Sequence, residues 1–85
     1  MPNPFKDATR MQYAVDKAGT AVEIGVYDLA GRLVQQLATG TQSAGIHEVS
    51  WDGGDSAGNK VRAGVYFVRG TVGGERIGAR VMYLK

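Results

Sequence analysis

Apolar and polar residues alternate with a period of two along most of this chain. The alternation runs through residues 9–15, 21–29, 45–51 and 76–84, and residues 65–68 add a β-branched and aromatic run. Because successive side chains of a strand point to opposite faces of a sheet, these segments predict strands with one buried face. Another short strand is expected over residues 32–37, and residues 32–38 could alternatively form a single helical turn. The strand is favoured because glycines bound the run too closely for a helix.

Turn-forming residues separate the predicted strands. Residues 52–59, DGGDSAGN, combine most turn-forming residue types and are called the polar loop below, and residues 39–44 are expected to be a polar connection. Gly31 is expected to adopt positive φ, and Gly73-Gly74 to form a hairpin turn. Gly25, on the outer face of its strand, indicates a bulge or the close approach of a neighbour. About seven short strands separated by such turns predict an all-β fold, an antiparallel β-sandwich.

The inward-facing positions of these strands define the expected core. Trp51 is its expected anchor, and Phe5 is expected to plug one end, after an extended lead-in that the prolines favour. Tyr27 and Phe67, like Tyr66 and Tyr83, are also expected to pack in the interior. The gap between the sheets should be filled by Met11, Tyr13, Val22, Ile24, Val26, Val49, Trp51, Tyr66, Val68 and Val81.

Composition limits the possible classes of protein. A length of 85 residues is that of one small domain, and 44% hydrophobic with 21% charged residues is typical of a folded chain. No apolar run approaches the roughly 20 residues of a membrane helix, so no membrane insertion is expected. With no cysteine, no disulfide or thiolate metal site forms. A net charge of +2 is too small to argue for nucleic acid.

Charge is unevenly distributed, and the last part of the chain is basic. Residues 60–85 carry six basic residues against one acidic residue, a net charge of +5, whereas residues 1–59 have a net charge of −3. Solvated charges on an edge strand are one explanation. The alternative is a partner-binding site made of Arg76, Arg80 and Lys85 together with an exposed backbone edge, which a protein partner could extend by adding a strand.

Few residues suggest chemistry. Asp52, Asp55 and Asn59 in the polar loop could ligate calcium, but their spacing is not that of a known calcium loop, and Asp and Asn also satisfy backbone amides in turns. His47 is the only histidine, so it is expected to hydrogen-bond to a turn at a strand end. No serine, histidine and carboxylate combine into a catalytic set, and no glycine pair has the context of a phosphate loop. The sequence therefore predicts neither enzyme activity nor a cofactor.

Several ordered motifs resemble known families. Residues 3–5 (NPF), 9–13 (TxMxY) and 22–31 (VxIxVYDxxG) resemble the opening of type IX secretion C-terminal sorting domains. Residues 45–58 (GxHxVxWDGxDxxG) and 64–67 (GVYF) are similar to the same region of hook-capping-protein immunoglobulin-like domains. The resemblance covers essentially the whole chain, and it implies a seven-stranded immunoglobulin-like sandwich.

The resemblance also implies a role. Residues 1–85 would be a single C-terminal module of a larger exported bacterial protein, found extracellularly or at the cell surface after passage through the periplasm. The first hypothesis is a non-enzymatic sorting module that outer-membrane export machinery recognises. The alternative is a structural assembly domain, either a hook-capping-like scaffold or a subunit that forms homo-oligomers. A carbohydrate-binding or adhesin accessory module is a third interpretation.

Overall fold

The computed structural model describes residues 4–84, and these residues form six strands. None of them belongs to a helix that is long and apolar enough to cross a membrane. The expected count of about seven strands is too high for this part of the chain, because the lead-in contributes only a single bridge between Phe5 and Tyr83. The strands are β1 (Thr9–Val15), β2 (Thr20–Tyr27), β3 (Leu33–Gln42), β4 (Gly45–Trp51), β5 (Gly64–Val72) and β6 (Glu75–Tyr83).

The strands form two antiparallel sheets, which confirms the predicted β-sandwich. One sheet has four strands in the order β3-β2-β5-β6, and the other pairs β1 with β4. In the larger sheet, β6 and β3 are the edge strands. The β5–β6 hairpin turns at Gly73 and Gly74, whose φ angles of 58° and 82° confirm the expected two-residue turn.

Strand β3 is longer than its sequence predicts. Residues 39–42, expected in a polar connection, continue β3 and pair with β2, where Gln42 lies opposite Thr20. Polar side chains are tolerated here because β3 is an edge strand and the pairing is carried by the main chain. The predicted irregularity at Gly25 is confirmed by a register shift beside it. A Cβ atom at Gly25 would lie 2.8 Å from the Leu33 side chain, so a neighbour also approaches closely.

The turn between β2 and β3 is held by one carboxylate. Oδ1 of Asp28 accepts hydrogen bonds from the backbone N–H groups of Ala30 (2.9 Å) and Arg32 (3.0 Å). Gly31 has the positive φ, 83°, that the sequence predicts. The Arg32 amide hydrogen bond, followed by the charge of the same residue, holds the pKa of Asp28 below its usual value.

The core lies between the two sheets and contains nearly every residue expected there. Met11 lies at its margin, partly buried, and Trp51 is only 2% exposed. The prediction is wrong for Tyr27 and Phe67, which are half-buried on the outer face of the larger sheet. The buried apolar residues are Phe5, Tyr13, Val15, Val22, Ile24, Val26, Val49, Trp51, Tyr66, Val68, Val81 and Tyr83.

Aromatic rings close one end of the sandwich around Trp51. Its ring centroid lies 5.6 Å from that of Phe5, 5.0 Å from Tyr66 and 5.8 Å from Tyr83. Its Nε1–H donates a buried hydrogen bond of 2.8 Å to the carbonyl oxygen of Gly54. The expected roles of Trp51 as anchor and Phe5 as plug are therefore confirmed.

Tyr66 ties the start of β5 to the segment before it. Its hydroxyl donates a hydrogen bond of 2.8 Å to the carbonyl oxygen of Arg62. This local bond from a strand tyrosine to upstream backbone is the tyrosine corner found in immunoglobulin-like sandwiches. Burial, followed by the nearby charge of Asp28, raises the pKa of the Tyr66 hydroxyl.

Candidate functional site

The outer face of the four-stranded sheet carries aromatic and cationic side chains together. Because inward residues such as Val26 and Val68 alternate with outward ones, their neighbours along β2 and β5 face solvent. In one cross-strand row Tyr27 lies opposite Phe67, and Phe67 lies opposite Arg80 of β6. The name aromatic–arginine face is used below for Tyr27, Phe67, Arg69, Arg76 and Arg80.

Arg69 is held in place within this face. Its guanidinium carbon lies 4.3 Å from the centroid of the Tyr27 ring, a cation–π contact. Its two cross-strand neighbours are glycines, Gly25 on β2 and Gly78 on β6. Neither glycine has a side chain that could cover the Arg69 side chain. The space on the β6 side is therefore open, whereas the Leu33 side chain lies close to Gly25 on the β2 side.

An open groove of about 470 Å³ runs beside the Tyr27–Arg69 pair. The residues that line it include two arginines, Arg69 and Arg76, and one acidic residue, Glu23. The lining is therefore positive by one charge, which favours a ligand or partner with negative charge. The groove is lined by Glu23, Tyr27, Arg69, Gly70, Thr71, Arg76 and Ile77.

The edge of β6 is only partly exposed, which corrects the expectation of an open edge along the whole strand. Phe5 donates its backbone N–H to the carbonyl oxygen of Met82 (3.0 Å) and accepts a hydrogen bond from the N–H of Leu84 (2.8 Å). The lead-in segment lies beside the end of β6 because the Phe5 ring packs in the core against Tyr83. Within residues 4–84, no strand pairs with the outer side of β6 between Glu75 and Ala79.

The partner-binding residues predicted from the sequence are found partly where expected. Arg76 and Arg80 lie on the outer face of β6, and Lys85 lies outside the described residues. Sequence reasoning missed Tyr27, Phe67 and Arg69 as exposed neighbours of these arginines. The period of two would have found them, since Val26 and Val68 face inward and the adjacent residues must face outward.

The polar loop uses its acidic side chains to hold its own backbone. Asp52 Oδ1 accepts the N–H of Gly54 at 2.9 Å, and Asp55 Oδ1 accepts the N–H groups of Ala57 (3.0 Å) and Asn59 (2.9 Å). These contacts supply the turn chemistry that the sequence suggested as the alternative to calcium. In the part of the chain that the structure describes, no three His, Cys, Asp or Glu side chains are grouped to hold a metal ion.

His47 has the expected hydrogen bond to a turn, although it lies within β4 rather than at its end. Its Nε2 lies 2.7 Å from the carbonyl oxygen of Ser43, and its ring stacks on that of Tyr13 with centroids 5.6 Å apart. Since a carbonyl oxygen can only accept, Nε2 carries the proton. His47 therefore fastens the β3–β4 connection to the smaller sheet.

Comparison with known proteins identifies the family. The family model of the FlgD Ig-like domain matches residues 4–73. The chain belongs to the FlgD Ig-like domain family. The crystal structure of FlgD from P. aeruginosa is similar to this FlgD Ig-like domain, with a TM-score of 0.61 and 28% sequence identity. The similarity covers 89% of this chain and 59% of that one, so the chain spans less than two thirds of the FlgD structure. No curated protein matches the chain.

Family membership distinguishes between the two resemblances found in the sequence. It confirms the immunoglobulin-like fold and the resemblance to hook-capping proteins, whereas no comparison supports the resemblance to sorting domains. A FlgD Ig-like domain is structural rather than enzymatic, which favours the prediction of no enzyme activity. The family match ends before β6, so it does not bear on Arg76 or Arg80.

Proposed function

We propose that this domain is a non-enzymatic docking module that holds its parent protein in an assembly of protein subunits. The observation that carries the proposal is the aromatic–arginine face, where Tyr27, Phe67 and Arg69 are presented together on a rigid sheet. Tyrosine, phenylalanine and arginine are enriched in the cores of protein interfaces, where they supply most of the binding energy. A sheet holds such residues with little loss of conformational entropy on binding.

Exposed aliphatic side chains extend this face. Leu33 on β3 is 53% exposed and Met82 on β6 is 41% exposed, and both lie at the margins of the Tyr27–Phe67–Arg80 row. An apolar centre with a cationic rim is the usual anatomy of a specific interface. On the smaller sheet, by contrast, Ile46 is the one large hydrophobic residue of the described range that is exposed.

The assembly role takes precedence over the sorting role in this proposal. The matching family and the similar structure are both FlgD, and the resemblance to hook-capping domains suggested a scaffold from the start. The partners would be protein subunits, neither nucleic acid nor membrane. An exported parent protein, with the domain outside the cytoplasm, fits such an assembly and is part of the proposal.

Sedimentation velocity over a wide range of concentrations tests the role of the face. The domain is expected to form concentration-dependent oligomers, and Phe67→Ser is expected to abolish them while leaving the circular dichroism spectrum unchanged. Ile46→Ser is the matched control, because it removes an exposed apolar residue from the opposite sheet. A wild-type domain that stays monomeric at millimolar concentration, or equal loss in both variants, would contradict the proposal.

A reporter fusion separates assembly from sorting. The domain is fused to the C-terminus of a periplasmic reporter in a bacterium that has a type IX secretion system. The assembly proposal predicts that the fusion stays in the periplasm. Release of the reporter at the cell surface, dependent on that secretion system, would instead establish the sorting role.

A further inference from the structure

Main-chain groups of β6 point alternately toward β5 and toward the open edge. The bridge to Phe5 uses the carbonyl of Met82 and the N–H of Leu84. The main-chain N–H and C=O groups of even-numbered β6 residues therefore point toward the open edge. The two-residue turn requires the same alternation, because it pairs Val72 with Glu75 by hydrogen bonds on the β5 side. The N–H and C=O groups of Arg76 and Gly78 are therefore directed outward, away from β5.

The same two residues present their side-chain positions to the outer face. Arg76 is exposed there and lines the groove, while Gly78 leaves a gap in the β6 row directly opposite Arg69. A Cβ atom at Gly78 would make ordinary contact with the Cβ of Arg69, at 3.4 Å. A side chain of a strand added to the β6 edge could therefore pass over Gly78 and contact the aliphatic part of Arg69, with Arg76 next to it.

We infer that the partner is an extended polypeptide segment that adds to the edge of β6 between Glu75 and Ala79 and places an acidic side chain in the gap at Gly78. This inference rests on the proposed docking function and names the chemistry of the docked segment. Five residues of edge, about 16 Å long, accommodate a short strand. Arg69 and Arg76 supply complementary charge for a carboxylate, and Glu23 is the one acidic residue among those that line the groove.

Peptide binding tests the inference. The probe is an acetylated and amidated peptide of seven residues in which threonine and glutamate alternate, titrated into the ¹⁵N-labelled domain. It is expected to bind at least about tenfold more tightly than its lysine counterpart, with affinity falling as salt is raised. On binding, the amide hydrogens of Arg76 and Gly78 should exchange more slowly, while that of Ile77, already bonded to β5, should not change. A glutamate peptide N-methylated at alternate amides should lose binding, because it cannot form the edge hydrogen bonds.

Variants of the domain locate the contact. Arg76→Glu is expected to weaken binding of the glutamate peptide by about tenfold or more. The matched control is Arg62→Glu, which changes the net charge equally at an exposed residue before the opposite end of β5. Gly78→Val should fill the gap and remove the preference for glutamate over threonine, while an all-threonine peptide binds as it does to the wild type.

The outcomes distinguish this inference from the proposed function. Equal binding of glutamate and lysine peptides, full binding of the N-methylated peptide, no binding at all, or equal effects of the Arg76 and Arg62 variants would each overturn the inference. If oligomers still depend on Phe67 in that case, the docking function stands without the acidic strand. If the peptide results are as expected but protection appears on β3 instead of β6, the edge assignment is overturned.

Discussion

Trp51 joins four parts of the chain, and replacing it tests whether the ring cluster organises the sandwich. Its ring contacts Phe5 of the lead-in, Tyr66 of β5 and Tyr83 of β6, and its Nε1–H bonds to the polar loop at Gly54. Trp51→Ala removes all four links. Because the side chain is fully buried, the expected loss is about 3–5 kcal/mol, the usual cost of truncating a buried large aromatic residue.

A second variant separates the cost of the lost hydrogen bond from the cost of the lost ring contacts. Trp51→Phe keeps a ring against Phe5 and Tyr66 but leaves the buried carbonyl of Gly54 without its donor. An unpaired buried acceptor costs about 1–3 kcal/mol, so this variant should lose less than the alanine variant. A domain of 85 residues has a total stability of about 4–13 kcal/mol, so the alanine variant should lose a large part of it, and at the lower end of this range it would unfold.

Urea unfolding followed by far-ultraviolet circular dichroism measures these losses without relying on tryptophan fluorescence. Ile46→Ala is the control, since an exposed strand residue should change stability by no more than about 0.5 kcal/mol. A loss below about 1 kcal/mol for Trp51→Ala would refute the reasoning, because it would mean that the four links contribute little to the folded state.

The remaining predictions concern the backbone, two ionisable groups and the polar loop. Gly70→Ala should destabilise the domain strongly, because a Cβ atom there would collide with the backbone oxygen of Glu23; little change in urea midpoint would show that β2 can move aside. Tyr66→Phe should cost about 0.5–1.5 kcal/mol at pH 8 through its lost hydrogen bond to Arg62. The pKa of Tyr66 is raised above its ordinary 10.0, so the wild type loses stability above pH 10. The difference in unfolding free energy between wild type and Tyr66→Phe should therefore shrink above pH 10, and a constant difference would contradict this. The pKa of Asp28 is lowered from 3.8, so the ionised carboxylate stabilises the domain fully above pH 3.8, and this stability is lost as the pH falls through the lower pKa of the folded state. The melting temperatures of wild type and Asp28→Asn should therefore converge in acid, and a constant difference would contradict this. Calcium should leave the melting temperature unchanged, because backbone amides already occupy the carboxylates of the polar loop; a rise reversed by chelator would establish a calcium site.

The fold was largely predictable because it depends on local patterns. The period of two located β1, β2, β4 and β6, and a β-branched and aromatic run located β5. The pair Gly73-Gly74 located the hairpin, since few residues other than glycine adopt positive φ. The end of β3 was not predictable in this way. Thr39 and Gly40 are typical of a loop, and only the length of β2 beside them, from Thr20 onward, provides the partner that keeps them in a strand.

The candidate site was less predictable because it depends on which strands are neighbours. Tyr27 and Phe67 lie in apolar runs, and an aromatic residue in such a run usually packs inside. They become one surface only because β2 pairs with β5, which sets Tyr27 opposite Phe67 and brings Arg69 over the Tyr27 ring. Likewise, the sequence could not show that Phe5 covers one end of the β6 edge, because that contact joins opposite ends of the chain.

The register of the β5–β6 hairpin connects the face and the edge into one surface. Since Gly73 and Gly74 fix the pairing of the strands that they join, they also fix which residues of β6 face outward. Arg76 and Gly78 consequently present their side-chain positions to the outer face of the sheet and their main-chain groups to the edge. A strand that adds to this edge must lay every second side chain on the aromatic–arginine face. Main-chain pairing would then supply affinity while the arginines select acidic sequences, so that both properties depend on a single two-residue turn.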